Sequence, residues 1–173
     1  MDSRAVLTDA ASRPVEGARQ VLDGLSGESL HAMPDGRGNS IAWLLWHAGR
    51  QADVQVAALT GDDEVWAAGG WGDRVGVARG AGDFGFGDGL PEVRALRVAD
   101  ASALLDYLVA VADAVVAHVA GLAEGDLDDV VDTAWTLHVT RGVRLVSIID
   151  DAAVHVGQAA YVRGLVEGWS IGY

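Results

Sequence analysis

Two residue types are missing from this chain: among its 173 residues there is no cysteine and no lysine. Without cysteine there is no disulfide framework, no thiolate for a metal and no thiol nucleophile in the protein, so any thiol chemistry requires a thiol from outside. Without lysine no phosphate-binding Walker motif can form, and the glycines make no Gly-x-Gly-x-x-Gly unit between a strand and a helix. Positive charge is scarce as well: 12 arginines face 25 acidic residues, for a formal net charge of −13. That balance repels a phosphate backbone and excludes nucleic acid as a partner. No run approaches the roughly 20 uninterrupted apolar residues of a membrane span. The N-terminus, Met1-Asp2-Ser3-Arg4, lacks the apolar core of a signal peptide. The expected compartment is therefore the cytoplasm, with no membrane partner. A Gly-x-Ser-x-Gly nucleophile elbow is also absent.

What is present is apolar material at helical spacing. Half of the residues are hydrophobic, enough for one full core, and a single domain over residues 1–173 is expected. Four segments read as helices. The first covers about residues 3–25, with Val15, Ala18, Val21, Leu22 and Leu25 on one side and Pro14 as a kink or a late start. After a Pro- and Gly-containing linker over residues 26–39, Asn39 or Ser40 caps a second helix that runs to about Leu59. Its core stripe is Ile41, Leu44, Leu45, Ala48, Ala52, Val56 and Leu59, and Trp43, His47, Arg50 and Val54 form the adjoining stripe. Asp100 caps a third helix to about Leu122, with Leu104, Leu108, Val111 and Val115 inward. Thr140 caps a fourth, from about Gly142 to Val166, on which Ile148, Asp151, His155, Gln158 and Val162 share a face. No repeat appears, and no segment alternates as a half-buried strand does. The fold class is all-α, a four-helix bundle, with outer apolar positions on the first and third helices as candidates for homodimer pairing.

Between the second and third helices lies a connection over residues 60–99, rich in Gly and Trp. Loops of this length in a compact domain are usually lids, binding segments or disordered pieces, and a lid is the reading favoured here. The acidic run from Glu124 to Asp132 lacks the spacing and glycine of a calcium loop and reads as a solvated connector.

Asp151 and His155 are four residues apart, so on a helix both project from one face, one turn apart. A histidine from a second helix would complete a three-ligand metal site, and His47, beside the core, has that position. The bland alternative is that each makes ordinary hydrogen bonds, with Asp151 paired to Arg50 or Arg144. Asp150 is a competing carboxylate, but about 100° away on the helical wheel. Gln158 and Arg50 are one turn beyond His155 and His47, placed to orient ligands or substrate. His118 on the third helix is a candidate fourth ligand or acid–base group, while His31 and His138 sit in connectors and are expected to face solvent. The tryptophans resemble a pocket lining, but for most of them core or dimer packing is the safer reading.

Three stretches carry a family resemblance: Ser40-Ile41-Ala42-Trp43-Leu44-Leu45-Trp46-His47, then Gly142-Val143-Arg144-Leu145-Val146-Ser147-Ile148-Ile149, then His155-Val156-Gly157-Gln158-Ala159-Ala160-Tyr161-Val162-Arg163-Gly164. They resemble the DinB-like superfamily of metal-binding four-helix bundles, nearest to the DUF664-type branch common in actinobacteria. Better-known members, the bacillithiol transferases and mycothiol-dependent maleylpyruvate isomerase, use a low-molecular-weight thiol and a divalent metal. The resemblance implies a divalent metal, Zn²⁺ or Ni²⁺ first, at His47, Asp151 and His155, with Asp151 where the family usually has a second histidine of helix four. It further implies transfer of a thiol, mycothiol by that branch, to a small electrophilic substrate. Two His with one carboxylate suit several divalent metals, so the change bears on metal identity more than on binding. The alternatives are metal-assisted hydrolysis at the same site and a non-catalytic, dimeric metal- or ligand-binding module.

Overall fold

The structure is a computed structural model that describes residues 2–123 and 125–172. The four long helices are α1 (Ser3–Leu22), α3 (Ile41–Thr60), α7 (Ala101–Ala120) and α8 (Arg141–Glu167). Short helices α2 (Gly27–Leu30), α4 (Val65–Ala68), α5 (Trp71–Val75) and α6 (Leu90–Ala95) fill the connections. Their starts follow the capping chemistry of the sequence: the side chains of Ser40, Asp100 and Thr140 accept backbone N–H bonds from Trp43, from Ser102 and Ala103, and from Val143. Pro14 sits inside α1, which ends at Leu22 rather than Leu25.

In cross-section α1 and α3 stand diagonally, each packed against both α7 and α8. Cross-links give the directions. Arg4 near the start of α1 donates to the carbonyl of Leu122 after the end of α7, so these two run antiparallel. Arg163 near the end of α8 donates to the carbonyls of Gln20 and Val21, satisfying acceptors that the last turn of α1 leaves open. These two are therefore parallel. Gln51 and Gln55 on α3 meet Ile148 and Arg144 on α8, an antiparallel pair. Gly49 and Asp53 contact Tyr107, whereas Ala57 and Thr60 share a cavity wall with Ala114 and His118, so α3 and α7 run the same way. Residues 61–100 must consequently carry the chain back along the bundle, roughly 30 Å for a 20-residue helix.

That return explains the Gly- and Trp-rich connection. Rather than a lid, it is a crossover whose Trp66, Trp71, Val75, Val77, Val93, Leu96 and Val98 are buried in the same core as the long helices. With α7 on one side, α8 on another and the crossover covering the rest, every residue of α3 from Ile41 to Asp53 is buried. The core stripe and adjoining stripe expected of the second helix are thus, from Ile41 to Asp53, parts of a segment buried on every face. Close approach to α7 is possible because position 49 has no side chain: a Cβ there would lie 2.7 Å from the Tyr107 ring.

Other expectations are corrected in detail. The acidic connector holds a short antiparallel pair, β1 (Val130–Asp132) with β2 (Val139–Thr140), too brief for alternation to show. Its Asp129 and Asp132 pair with Arg141 and Arg144 in the first turn of α8, where cations are otherwise misplaced against the helix dipole. Glu124 lies outside the described residues. His31 is half-buried rather than free in solvent: its Nδ1 donates to the Gly27 carbonyl and its Nε2 accepts the Val98 N–H, tying α2 to the end of the crossover. His138 is exposed as expected.

Four tryptophans, Trp43, Trp46, Trp66 and Trp71, are core residues, whereas Trp135 is exposed. Among the described residues the exposed large apolar side chains include Val6 on α1 and none on α7, and they gather on α8 at Val143, Val146, Val154, Tyr161 and Leu165. Helix α7 is long and apolar enough by composition to cross a membrane, but its Leu104, Tyr107, Leu108, Val111, Val115 and Val119 are buried in the bundle.

Candidate functional site

One turn into the buried part of α3, Trp43 and His47 lie stacked, with ring centroids 4.7 Å apart and planes within 6°. Asp151 and His155 of α8 face them across the antiparallel α3–α8 seam. The His47 and His155 rings meet edge to face with centroids 4.5 Å apart. One donor atom from each of His47, Asp151 and His155 lies within 4.8 Å of the others. Asp151 and His155, paired by their spacing, and His47 from the second helix therefore converge. Asp150 is exposed and takes no part.

The outer nitrogens of both rings are already committed. His47 Nδ1 hydrogen-bonds the Phe84 carbonyl, which can only accept, so Nδ1 carries the hydrogen and Nε2 keeps a lone pair. His155 Nδ1 lies 3.1 Å from Gln158 Oε1, and an amide oxygen there pairs with the same tautomer of the neutral ring. With that ring neutral, His155 Nε2 faces Asp151 Oδ1 at 3.4 Å as acceptor against acceptor, a contact that a proton on Nε2 or a cation between the two would satisfy. Burial lowers the His47 pKa from its ordinary value, and the nearby His155 adds to this, although the Phe84 hydrogen bond opposes it. His47 is neutral at neutral pH. Exposure grades across the site, from 8% for His47 to 39% for the Asp151 side chain, so the group is closed on the α3 side and open on the α8 side.

The crossover supplies the supports. Phe84 delivers its carbonyl because Gly85 takes a left-handed conformation, φ +81°, and passes so close to Trp46 that a Cβ would lie 2.9 Å from the ring. Trp43 Nε1 donates to Asp88 at 2.8 Å, and Asp88 is gripped by Arg79 at 2.9 Å. Burial raises the Asp88 pKa, but the hydrogen bonds from Arg79 and Trp43 outweigh it, so the carboxyl titrates below its ordinary value. Gly80, Gly82 and Gly85 have phosphate-loop spacing, yet no strand precedes them and no helix follows directly.

Arg50 does not reach the trio. It is fully buried and bonds Asp53, Glu64, Tyr107 and the Asp83 carbonyl. It holds the carbonyl of Asp83, the residue before Phe84. Among the described residues no arginine pairs with Asp151, and Arg144 is taken by Asp132 and Gln55. His118 is also elsewhere: its ring lies 3.5 Å from Arg141, and burial, then that cation, lower its pKa. It belongs to no ligand group with the trio. Phe84, Asp88 and Arg79 were not anticipated from the sequence, where a glycine-rich segment carries no periodic signal. Trp43, one turn before His47, was the only pointer to them.

The DinB superfamily profile matches residues 16–159. A solved structure described as a conserved protein from Enterococcus faecalis is 32% identical, with a TM-score of 0.89, covering 98% of this chain and 99% of that one. No curated protein matches the chain.

Proposed function

The chain belongs to the DinB superfamily, and on that footing we propose that His47, Asp151 and His155 hold a divalent cation, Zn²⁺ or Ni²⁺, in an enzyme that transfers a low-molecular-weight thiol to a small electrophile. One observation carries the metal. With both Nδ1 hydrogens given to Phe84 and Gln158, the three side chains turn only acceptors toward one another, and His155 Nε2 stands 3.4 Å from a carboxylate oxygen. Converging acceptors are costly unless a cation lies between them, and two imidazole nitrogens with a carboxylate are a competent donor set.

A divalent cation there supplies Lewis acidity, stabilising a thiol as its anion near neutral pH. The rest falls to the chain. Phe84 and Gln158 hold the two rings in the tautomer and orientation that ligation needs. Trp43 and the crossover close the α3 side to water, and the exposed side of Asp151 leaves substrate a way in. A cysteine-free chain supplies no thiol, so the thiol comes from solution, and the actinobacterial resemblance favours mycothiol.

The rival reading, a non-catalytic binding module, draws on the same contact: a proton on His155 in place of a metal makes His155 and Asp151 an ordinary ion pair. The deciding experiment incubates Zn²⁺- or Ni²⁺-loaded protein with mycothiol and monobromobimane and follows the conjugate by mass spectrometry. Conjugation that needs metal and disappears in His155→Ala supports transfer. Stoichiometric metal without turnover of thiol or of hydrolysable esters leaves the binding module.

A further inference from the structure

One turn past His47 along the α3–α8 seam, a cavity of about 380 Å³ opens, within the size range of small-molecule sites. Its two walls differ in kind. The polar wall is a continuous hydrogen-bonded ladder. Gln51 Nε2 donates to the Ile148 carbonyl at 3.1 Å and Gln55 Nε2 to Gln51 Oε1 at 2.6 Å. Arg144 Nη1 then donates to Gln55 Oε1 at 3.0 Å, and Arg144 Nη2 to Asp132 Oδ2 at 2.7 Å. Facing it are the apolar side chains of Val54, Leu59, Phe84 and Val131. Phe84 also touches the His47 ring, with centroids 6.3 Å apart, so the cavity and the trio share a wall.

The far end of the ladder is an ion pair of zero net charge whose members each have a quarter of the side chain exposed. Arg144 has N–H groups beyond the two it uses, and Asp132 has lone pairs beyond those it uses. A hydroxyl or amide satisfies both at once. A carboxylate reaching Arg144 meets the Asp132 charge beside it, and like-charge contact of this kind is a common device for rejecting a wrong ligand. Arg144 and Asp151 are seven residues apart on α8, about 10 Å along the axis at 1.5 Å per residue.

The geometry points to this cavity as the recognition site for the non-reacting tail of the ligand whose reacting end meets the trio: an uncharged tail about 10 Å long, apolar along its body and ending in hydroxyl or amide groups, selected by the Arg144–Asp132 pair against carboxylates. This assignment rests on the thiol-transfer reading above, and its test separates the two. Three probes of equal length, 6-mercaptohexan-1-ol, 6-mercaptohexanoic acid and heptane-1-thiol, are titrated calorimetrically into the full chain with and without Zn²⁺. The alcohol is expected to bind about five- to tenfold more tightly than the acid or the alkane, the worth of one neutral hydrogen bond. Asp132→Asn, which leaves Arg144 uncompensated, should make the acid the best of the three. Arg144→Met should erase the difference between alcohol and alkane. Equal binding of all three, binding of none, or a ranking that Asp132→Asn leaves unchanged overturns the inference. The metal reading fails separately, when Zn²⁺ adds nothing to the affinity of any thiol while the ranking of the tails persists.

Discussion

Two polar clusters sit a single turn apart on the buried part of α3, and they are built on opposite principles. Around Arg50 and Asp53 every group has a partner of the right kind. Asp53 accepts from Arg50 at 3.0 Å, from the Tyr107 hydroxyl at 2.8 Å and from the N–H groups of Val65 and Trp66 that open α4. Burial acts first on Tyr107 and raises its pKa well above the usual phenol value, so the hydroxyl remains a donor. Around His47 the reverse holds: donors are spent on Phe84 and Gln158, and what remains are acceptors pointed at each other on a partly open surface. A saturated buried network fastens the crossover to the bundle. An unsaturated one of a single sign is built to receive something. The contrast separates an arginine of structural weight from a histidine of functional weight, although the sequence puts them three residues apart.

The largest effect expected from this contrast is on stability. Asp53→Ala takes one of two carboxylates from the buried Arg50 guanidinium, removes the acceptor of the Tyr107 hydroxyl and leaves two helix-opening N–H groups without their partner, and should cost about 3–5 kcal/mol in urea denaturation. A cost below about 1 kcal/mol would dissolve the distinction between the clusters. At the other cluster, Asp151→Ala should leave the metal-free protein within about 0.5 kcal/mol of wild type, because it removes a partly exposed acceptor with no donor to lose. The same substitution should weaken Zn²⁺ binding by about 100-fold or more, one ligand's share of a site's affinity. Gln158→Leu frees the His155 ring without removing a ligand, and about a tenfold loss of Zn²⁺ affinity is expected.

The smallest effect is on pH dependence. The His47 pKa is lowered on folding, so as pH falls below the ordinary histidine value near 6.5 the unfolded chain takes up a proton that the folded one resists. Its effect on stability is therefore absent at higher pH, destabilises the fold as pH drops through that value, and levels off below the folded-state pKa. His118 acts with the same sign. Metal-free His47→Gln and His118→Gln should each flatten part of the stability loss between pH 7 and 5, and an unchanged slope in both would contradict these assignments.

Much of this architecture was legible from local chemistry. Ser40, Asp100 and Thr140 begin helices because a side-chain oxygen before an apolar periodic run has few better uses, and the four long helices follow within a few residues. Spacing put Asp151 and His155 on one face, and the family resemblance brought His47 to them. What could not be read was which neighbours each helix keeps. The parallel course of α3 and α7 turns a supposed lid into a crossover, and it encloses α3 from Ile41 to Asp53. Asp53 went unnoticed because its partners, Glu64's neighbours Val65 and Trp66 and the distant Tyr107, are joined to it only by that crossover. Arg50, one turn beyond His47, was placed near the metal by the helical wheel, whereas its length carries the guanidinium to the crossover.

The central claim is that the three converging acceptors exist to hold a cation. The most direct measurement is a calorimetric titration of Zn²⁺ into metal-free protein, run beside His47→Ala and His155→Ala. The prediction is one equivalent bound by the wild type and none with comparable affinity by either variant, with both variants folded. A wild type that takes up no Zn²⁺ or Ni²⁺, or variants that bind as well as it does, would contradict the claim.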